Sequence, residues 1–348
     1  MKISIIASEF AVGKGGLQSF AYYAKEALSY RNIPFTTFSR STLSLKRLIV
    51  LFFHNFSNKI FILADWEQVI FVIISVFLTK LGLRKCKYVV ILHGNEILNV
   101  SFIKLKILKW IARDRRVFFI ANSTGTAEIF YQYYWRKCSL IAHPFIDSAI
   151  YKVNSKGKSI KKSSKTGKKT LLTITRLVKR KNVKNVILAI DILKKKGFNI
   201  VYNIIGDGPQ INELNQLIET LNLQKEVKVL GFIDENEKIY HLQNSDIFIL
   251  PSIFDPEEGS IEGYGIVFTE ASLFGLPSIS GNTGGMTDAV VSGKTGFHTD
   301  GTVADIVKKI IKVFNTNFDK KVMYNHALAH DYRSQDPFIT FIDSLKDD

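Results

Sequence analysis

Two glutamates eight residues apart, Glu262 and Glu270, mark the densest chemistry in the chain, within PSIFDPEEGSIEGYGIVFTEASLFGLPSISGNTGG. Glu262 falls in a loop and Glu270 on a helix predicted to start near Ile266, with Gly263, Tyr264 and Gly265 between them. Carboxylates so placed can accept hydrogen bonds from sugar hydroxyls, while loop N–H groups and the helix dipole favour an anion nearby. A capping charge and a solvated helix residue would be the plainer reading; Pro251 and Ser252 before the pair, with Gly284 and Gly285 after it, favour a ligand site. Upstream, Arg176 and Lys181 follow the apolar run TLLTI. Two cations at that spacing suit a diphosphate, Arg gripping it with paired N–H groups and Lys acting as a point charge. They also continue a lysine-rich run, so solvated charges are an equal reading. The segment GDGP, from Gly206 to Pro209, reads as a tight turn.

The first half offers fewer groups. His93 closes the apolar run YVVIL, and Gly15 with Gly16 stands between ISIIASEFAV and a helix predicted over Leu17 to Tyr30. Glycines there let backbone N–H groups approach a phosphate, although a tight turn explains them as well. A Walker loop is excluded because Lys14 is followed by Gly15 rather than Ser or Thr, and no GxGxxG occurs in this turn or around Gly206. Asn122 and Ser123 stand where a helix would be capped.

These residues must be carried by something, and the pattern around them is regular. ISIIAS, YVVIL and RVFFIANS in the first half, then TLLTITR, NIVYNIIG, VKVLG, DIFILPS and PSISG in the second, are short apolar runs separated by helical periodicity. Continuous apolar strands alternating with helices predict parallel sheets covered on both faces, hence two doubly wound α/β domains. Ligands in such sheets sit beyond the carboxyl ends of the strands, which is where the candidate residues fall.

The chain has 348 residues, enough for two domains, and a formal charge of +16 from 47 Lys and Arg against 31 Asp and Glu. Residues 1–150 hold 20 basic and 8 acidic side chains, a net of +12, leaving 27 against 23 beyond them. From Tyr151 to Lys169 run eight lysines with no acidic residue, read as a solvated linker between domains 1–155 and 156–331. The longest apolar run, Val69 to Leu78, is shorter than the roughly 20 residues of a membrane-spanning helix. The apolar segment around EQVIFVIISVFLTK therefore reads as core, and MKISIIASEF as a buried first strand rather than a signal peptide. Two cysteines cannot build a disulfide framework and fit a cytoplasmic setting.

In these features the chain resembles the retaining nucleotide-sugar glycosyltransferases of family 4, which have the GT-B fold. The likeness covers the early Gly-Gly loop, the strand-end His, the Arg and Lys pair, GDGP, and EGYGIVFTEASLFGLP, which matches the family's Glu-x7-Glu signature. It implies two Rossmann-like domains facing across a cleft, an N-terminal one for the acceptor and a C-terminal one for a UDP- or GDP-linked sugar. It implies further that Glu270 holds the donor ribose and Glu262 the transferred hexose. Arg176 and Lys181 would hold the diphosphate, with Gly15 and Gly16 lining it, Gly263, Tyr264, Gly265 and Ile266 forming the donor loop, and His93 at the reaction centre. The C-terminal helix, about 332–348, would cross back onto the first domain. The departures are Asn182 and Thr175 where Gly is usual, Asp288 for Glu, and His143 for Asn. No Asp-x-Asp sits at a strand end, so no cofactor or metal is expected and the cations take the diphosphate charge.

The excess charge also has a place in this scheme. SFIKLKILKWIARDRR, read as one helix, puts Lys106, Lys109, Arg113 and Arg116 on one face beside Ile103, Ile107, Trp110 and Ile111. That pattern suits an anionic membrane surface and a glycan or lipid-linked acceptor in polysaccharide or lipopolysaccharide synthesis, although a core helix with a solvated basic side has the same pattern. Two other classes stay open: a non-transferring enzyme of the same fold, such as a UDP-sugar 2-epimerase, and a basic nucleic-acid-binding protein. No readout motif supports the latter, so no nucleic-acid partner is expected.

Overall fold

The computed structural model describes residues 2–12, 15–39, 59–64, 86–98, 101–149, 167–255, 257, 259–334 and 337–347, with single positions at 73, 76, 77, 79, 81 and 82. Lys14, most of the apolar segment 67–80, the linker 151–166 and the expected boundary at 155/156 lie outside the described residues. The chain forms two compact units, residues 1–146 with 330–348, and residues 147–329.

In the first unit the described strands are β1 (Lys2–Ala7), β2 (Phe35–Ser39), β3 (Lys59–Leu63), β4 (Cys86–Leu92), β5 (Val117–Ala121) and β6 (Leu140–Ile141). They form one parallel sheet in the order β2-β1-β3-β4-β5-β6. Side chains alternate across a strand, and here both sets are apolar. Ile3, Ile5, Val89 and Ile91 enter one core, while Ile6, Tyr88, Val90 and Leu92 enter the other. A sheet covered on both faces needs helices on both. Helix α1 (Gly16–Tyr30) supplies Phe20, Ala24, Ala27 and Leu28 to the first core. Helix α2 (Asn95–Leu98), helix α3 (Phe102–Ala112) and helix α4 (Thr124–Tyr134) supply Ile97, Leu108, Ile111 and Phe130 to the second. Ser123 caps α4, its Oγ accepting from Thr126 N at 3.1 Å.

The second unit repeats the plan with β7 (Lys169–Ile174), β8 (Ile200–Ile205), β9 (Val227–Gly231), β10 (Ile247–Leu250), β11 (Ser278–Gly281) and β12 (Gly296–Thr299). Their order is β12-β11-β10-β7-β8-β9, again parallel. Helix α5 (Val183–Lys195) places Val183, Val186, Ile187, Ile190 and Leu193 on one buried stripe at helical spacing. Helices α6 (Ile211–Thr220), α7 (Glu235–Asn244), α8 (Ile266–Leu273), α9 (Met286–Ala289), α10 (Val303–Phe314) and α11 (Lys320–Leu328) complete the layers. The last helix, α12 (Pro337–Asp347), belongs to the first unit, where Phe338 packs edge-on to Phe20 at 6.1 Å and to Phe145 at 5.8 Å.

The basic segment departs from its expected form. Helix α3 stops at Ala112, because the Asp114 N–H folds back onto the Ile111 carbonyl at 3.0 Å and the chain turns into β5. Arg116 is therefore off the helix, with Nε 3.1 Å and Nη2 3.2 Å from the two Asp114 carboxylate oxygens. Ile111 faces the core instead of standing beside the cations. Lys106, Lys109 and Arg113 remain exposed.

Candidate active site

Strand β7 ends at Ile174, and the chain passes through residues 175–178 into one 3-10 turn, Lys179–Lys181. Leu177 is fully buried in the core and anchors this loop, while Arg176 beside it is exposed. The GDGP turn braces the loop from below. Leu177 N donates to the Asp207 carbonyl at 2.9 Å, and Gln210 N donates to the Leu177 carbonyl at 3.1 Å. The approach leaves no room for side chains: a Cβ on Gly206 would lie 1.8 Å from the Thr175 carbonyl oxygen, and one on Gly208 2.4 Å from that of Leu177. The turn is thus structural, as its sequence suggests, and it presents Arg176 to solvent with no partner among the described residues.

At the end of the 3-10 turn Asn182 adopts a left-handed conformation, φ 58°. Asn tolerates that region better than other side chains. It accounts for Asn where a glycine is usual, and the amide adds bonds a glycine cannot make. Nδ2 donates to the Gly301 carbonyl at 2.8 Å and to that of Pro251 at 3.3 Å. Ile253 N donates to the Arg180 carbonyl at 2.8 Å, so the turn is tied to the loop that follows β10.

That loop carries Glu262. Its backbone is held because Gly285 N donates to the Glu262 carbonyl at 3.0 Å. Gly284, at φ 63°, passes so close that a Cβ would meet the same oxygen at 2.3 Å. The Gly-Gly pair thus serves Glu262 directly. The Glu262 carboxylate receives Arg180 Nη1 at 2.9 Å and Lys181 Nζ, both on Oε2. All three side chains are nearly withdrawn from water, 15% exposed for Arg180, 10% for Lys181 and 13% for Glu262. Burial alone would push the Glu262 carboxyl up; the Lys181 and Arg180 charges and hydrogen bonds outweigh it and hold the group below the usual carboxylate range. Burial draws the Lys181 ammonium below its ordinary value, against the pull of Glu262. The triad carries one net positive charge in a nearly dry setting, a place that favours an anion.

Glu270 lies on α8, which starts at Gly265 in a left-handed cap, φ 84°. Its Oε1 accepts from Lys238 Nζ of α7 at 3.1 Å, and Lys238 also meets Glu235 at 2.9 Å. Burial works against the Lys238 charge, yet the two carboxylates lift that ammonium above its usual value. Tyr264, between the two glutamates in sequence, is buried, and desolvation pushes its hydroxyl up. Gly263 and Ile266 flank it, both half-buried.

His93, Gly15 and Gly16 belong to the first unit. His93 follows β4, where its Nε2–H donates to the Ala64 carbonyl at 2.7 Å, leaving Nδ1 as the ring nitrogen for another partner. Glu96 Oε1 accepts from the backbone N–H of His93 and, at 3.2 Å, from that of Gly94. Phe20, one turn into α1, meets the His93 ring edge-on at 5.4 Å, so the helix that Gly15 and Gly16 begin is packed beside the histidine.

Of the expected residues, the structure joins Lys181 directly to Glu262, keeps Glu270 on a separate cation, and leaves Arg176 in solvent. Two partners were not legible beforehand. Arg180 was hidden inside the run Lys179-Arg180-Lys181, and Lys238 on a polar helix offered no signal. Among the described residues no three His, Cys, Asp or Glu side chains gather as a metal site.

A six-stranded parallel sheet in each unit, with cations and carboxylates at the strand ends of the second, defines a protein of two Rossmann-like units. Residues 155–329, half of the chain, match the glycosyl transferases group 1 family, and the chain belongs to it. It is 30% identical over 158 residues to the GDP-mannose-dependent alpha-(1-6)-phosphatidylinositol monomannoside mannosyltransferase of Mycobacterium tuberculosis, covering 45% of this chain and 41% of that one. It is 32% identical over 127 residues to the putative colanic acid biosynthesis glycosyltransferase WcaL of Salmonella typhimurium, covering 36% and 31%. The matched part is thus less than half the length of these curated relatives. Among solved structures it resembles Anabaena Alr3699/HepE in complex with UDP, with a TM-score of 0.71 at 20% identity over 99% of this chain and 100% of that one. It also resembles the lipopolysaccharide outer core galactosyltransferase WaaB, with a TM-score of 0.68 at 17% identity over 99% of both chains. These likenesses establish the fold, GT-B.

Proposed function

We propose that the protein is a retaining glycosyltransferase that moves a hexose from a nucleotide diphosphate sugar to a hydroxyl of a glycan or lipid-linked acceptor, in cell-surface polysaccharide or lipopolysaccharide synthesis. The observation that carries the reading is the buried triad of Lys181, Arg180 and Glu262, with Glu270 eight residues beyond Glu262 on α8. In this reading Arg176 and Lys181 neutralise the donor diphosphate without a metal ion, Glu262 orders the hexose hydroxyls and Glu270 the ribose. Tyr264, Gly265 and Ile266 offer backbone at the helix start, and Gly15 and Gly16 do the same at α1. The C–O bond to the diphosphate breaks first, giving an oxocarbenium-like centre. The acceptor oxygen attacks from the same face, and its proton passes to the departing diphosphate oxygen, whose charge the cations stabilise. His93 Nδ1 accepts a hydrogen bond from a sugar hydroxyl.

The acceptor side of the reading places the enzyme in the cytoplasm, on the inner face of the membrane. No described helix is long and apolar enough to cross a bilayer. The outer face of α3 combines the exposed Lys106 and Lys109 with Phe102, which is 69% exposed, and with Trp110. Ile73, Phe77, Lys106, Ile107 and Trp110 line a surface hollow of about 450 Å³, an apolar hollow with a cation at its edge. Such a face suits anionic lipid.

The test is a thermal-shift panel of UDP, GDP, ADP and their sugars on the wild type and Glu270→Ala. A bound nucleotide diphosphate raises Tm by mass action, about 2.7 kcal/mol of stabilisation at 100 times Kd, and Glu270→Ala should blunt the response. No shift with any nucleotide would overturn the reading.

A further inference from the structure

Lys181 faces two demands. It already holds Glu262, and the proposed reaction requires it at the diphosphate. A carboxylate 13% exposed cannot lose its counter-ion without penalty, because an unpaired buried charge is far costlier than the pair it came from. Arg180 removes the conflict. Its Nη1 reaches the same oxygen, Glu262 Oε2, that Lys181 occupies. The Arg180 carbonyl accepts from Ile253 N at 2.8 Å, so the turn that carries the guanidinium is tied to the loop that carries Glu262, and its contact with the carboxylate does not pass through Lys181.

We propose that Arg180 is a positioning residue, a standing counter-ion that keeps Glu262 ionised and in place while Lys181 turns from that carboxylate to the donor diphosphate. The charge count agrees. A Lys181 and Glu262 pair alone is neutral and offers an anion nothing until it opens, whereas the triad presents a net positive charge from the start. The inference rests on the reading that Lys181 and Glu262 serve the donor. With Arg180 removed, Lys181 must either stay with Glu262 or leave it bare, and a bare buried carboxylate takes up a proton.

That proton is the readout. Calorimetric titration of the full-length protein with UDP and with GDP, in buffers of different ionisation enthalpy near pH 6, counts protons taken up on binding. Arg180→Met and Arg180→Gln should each take up more than the wild type, by a difference approaching about one proton per nucleotide. The same comparison in a Glu262→Gln background, which lacks the carboxylate, counts the protons of the terminal phosphate alone, and these are subtracted. Arg180→Lys should return the count to the wild-type value, which a loss of packing would not do. Far-UV circular dichroism identifies any variant that fails to fold, and the two uncharged replacements with the Lys rescue keep the question decidable. Unchanged proton uptake in folded Arg180→Met and Arg180→Gln would overturn the assignment. So would weaker nucleotide binding without added uptake, since Arg180 would then touch the donor itself. Failure of both nucleotides to bind the wild type would instead remove the underlying reading, a distinct result.

Discussion

Lys181 and Arg180 of the second unit converge on one carboxylate oxygen and are almost withdrawn from water, whereas Lys106, Lys109 and Arg113 of the first stand in solvent and pair with no carboxylate among the described residues. The contrast follows net charge only loosely, since the richer excess lies in residues 1–150. Burial is what separates the two sets. Cations held dry beside a carboxylate act at short range and in a fixed geometry, because the surrounding dielectric screens them little. Exposed cations on a helix act collectively and at longer range, and salt weakens them. The first arrangement suits one ligand in one pose; the second suits a surface. His93 illustrates a third arrangement, its ring fixed by Nε2 on the Ala64 carbonyl and its backbone N–H held by the Glu96 carboxylate.

The contrast can be broken most severely at Lys181, with Arg176 as its exposed counterpart. Lys181→Ala and Arg176→Ala should each lower kcat by about 10² or more if both neutralise the leaving diphosphate. The two should differ in stability. Arg176 is exposed and has no partner among the described residues, so its loss should leave Tm unchanged, while Lys181→Ala leaves buried Glu262 with one counter-ion and should lower it. Equal Tm values for both variants would contradict the buried geometry.

A smaller effect concerns acid. The Glu262 carboxyl is held below its unfolded value, so its contribution to stability is present above the unfolded pKa and is lost as pH falls through the folded one. Tm measured from pH 5 to pH 3 should therefore fall less steeply in Glu262→Gln than in the wild type. A parallel decline would show that the triad does not hold Glu262 ionised.

The smallest effect belongs to α3. Lys106→Glu and Lys109→Glu should weaken cosedimentation with anionic phosphatidylglycerol vesicles by at least about 1 kcal/mol per lost cation, roughly fivefold each. Nucleotide affinity should not change. Equal binding of the wild type to neutral phosphatidylcholine vesicles would remove the electrostatic reading of that face.

Much of the fold was open to sequence reading because strands such as β1 and β4 are apolar on both faces, as Ile5 and Ile6 or Val89 and Val90 show by entering opposite cores. The strands β2, β3, β6 and β12 were not singled out; β6 has only two residues, and β2 and β12, FTTFS and GFHT, mix polar with apolar residues. At the site, glycine positions were legible because a glycine is needed wherever backbones touch, as at Gly206 and Gly284. The end of α3 was not legible, since Arg116 continues the helical spacing and its removal depends on Asp114. That interaction has no signature in periodicity.

Residue types and spacing alone determined that the chain would form two parallel α/β units and that cations and carboxylates would collect at strand ends, because strand period and glycine demand are local properties. Which cation meets which carboxylate was decided only by the tertiary structure. Lys181 and Glu262 are 81 positions apart in the chain, and Arg180 and Glu262 are 82. No local rule connects them. They meet because the turn after β7 and the loop after β10 are tied together by Asn182 and Ile253, and because their neighbours exclude water from the place where they meet.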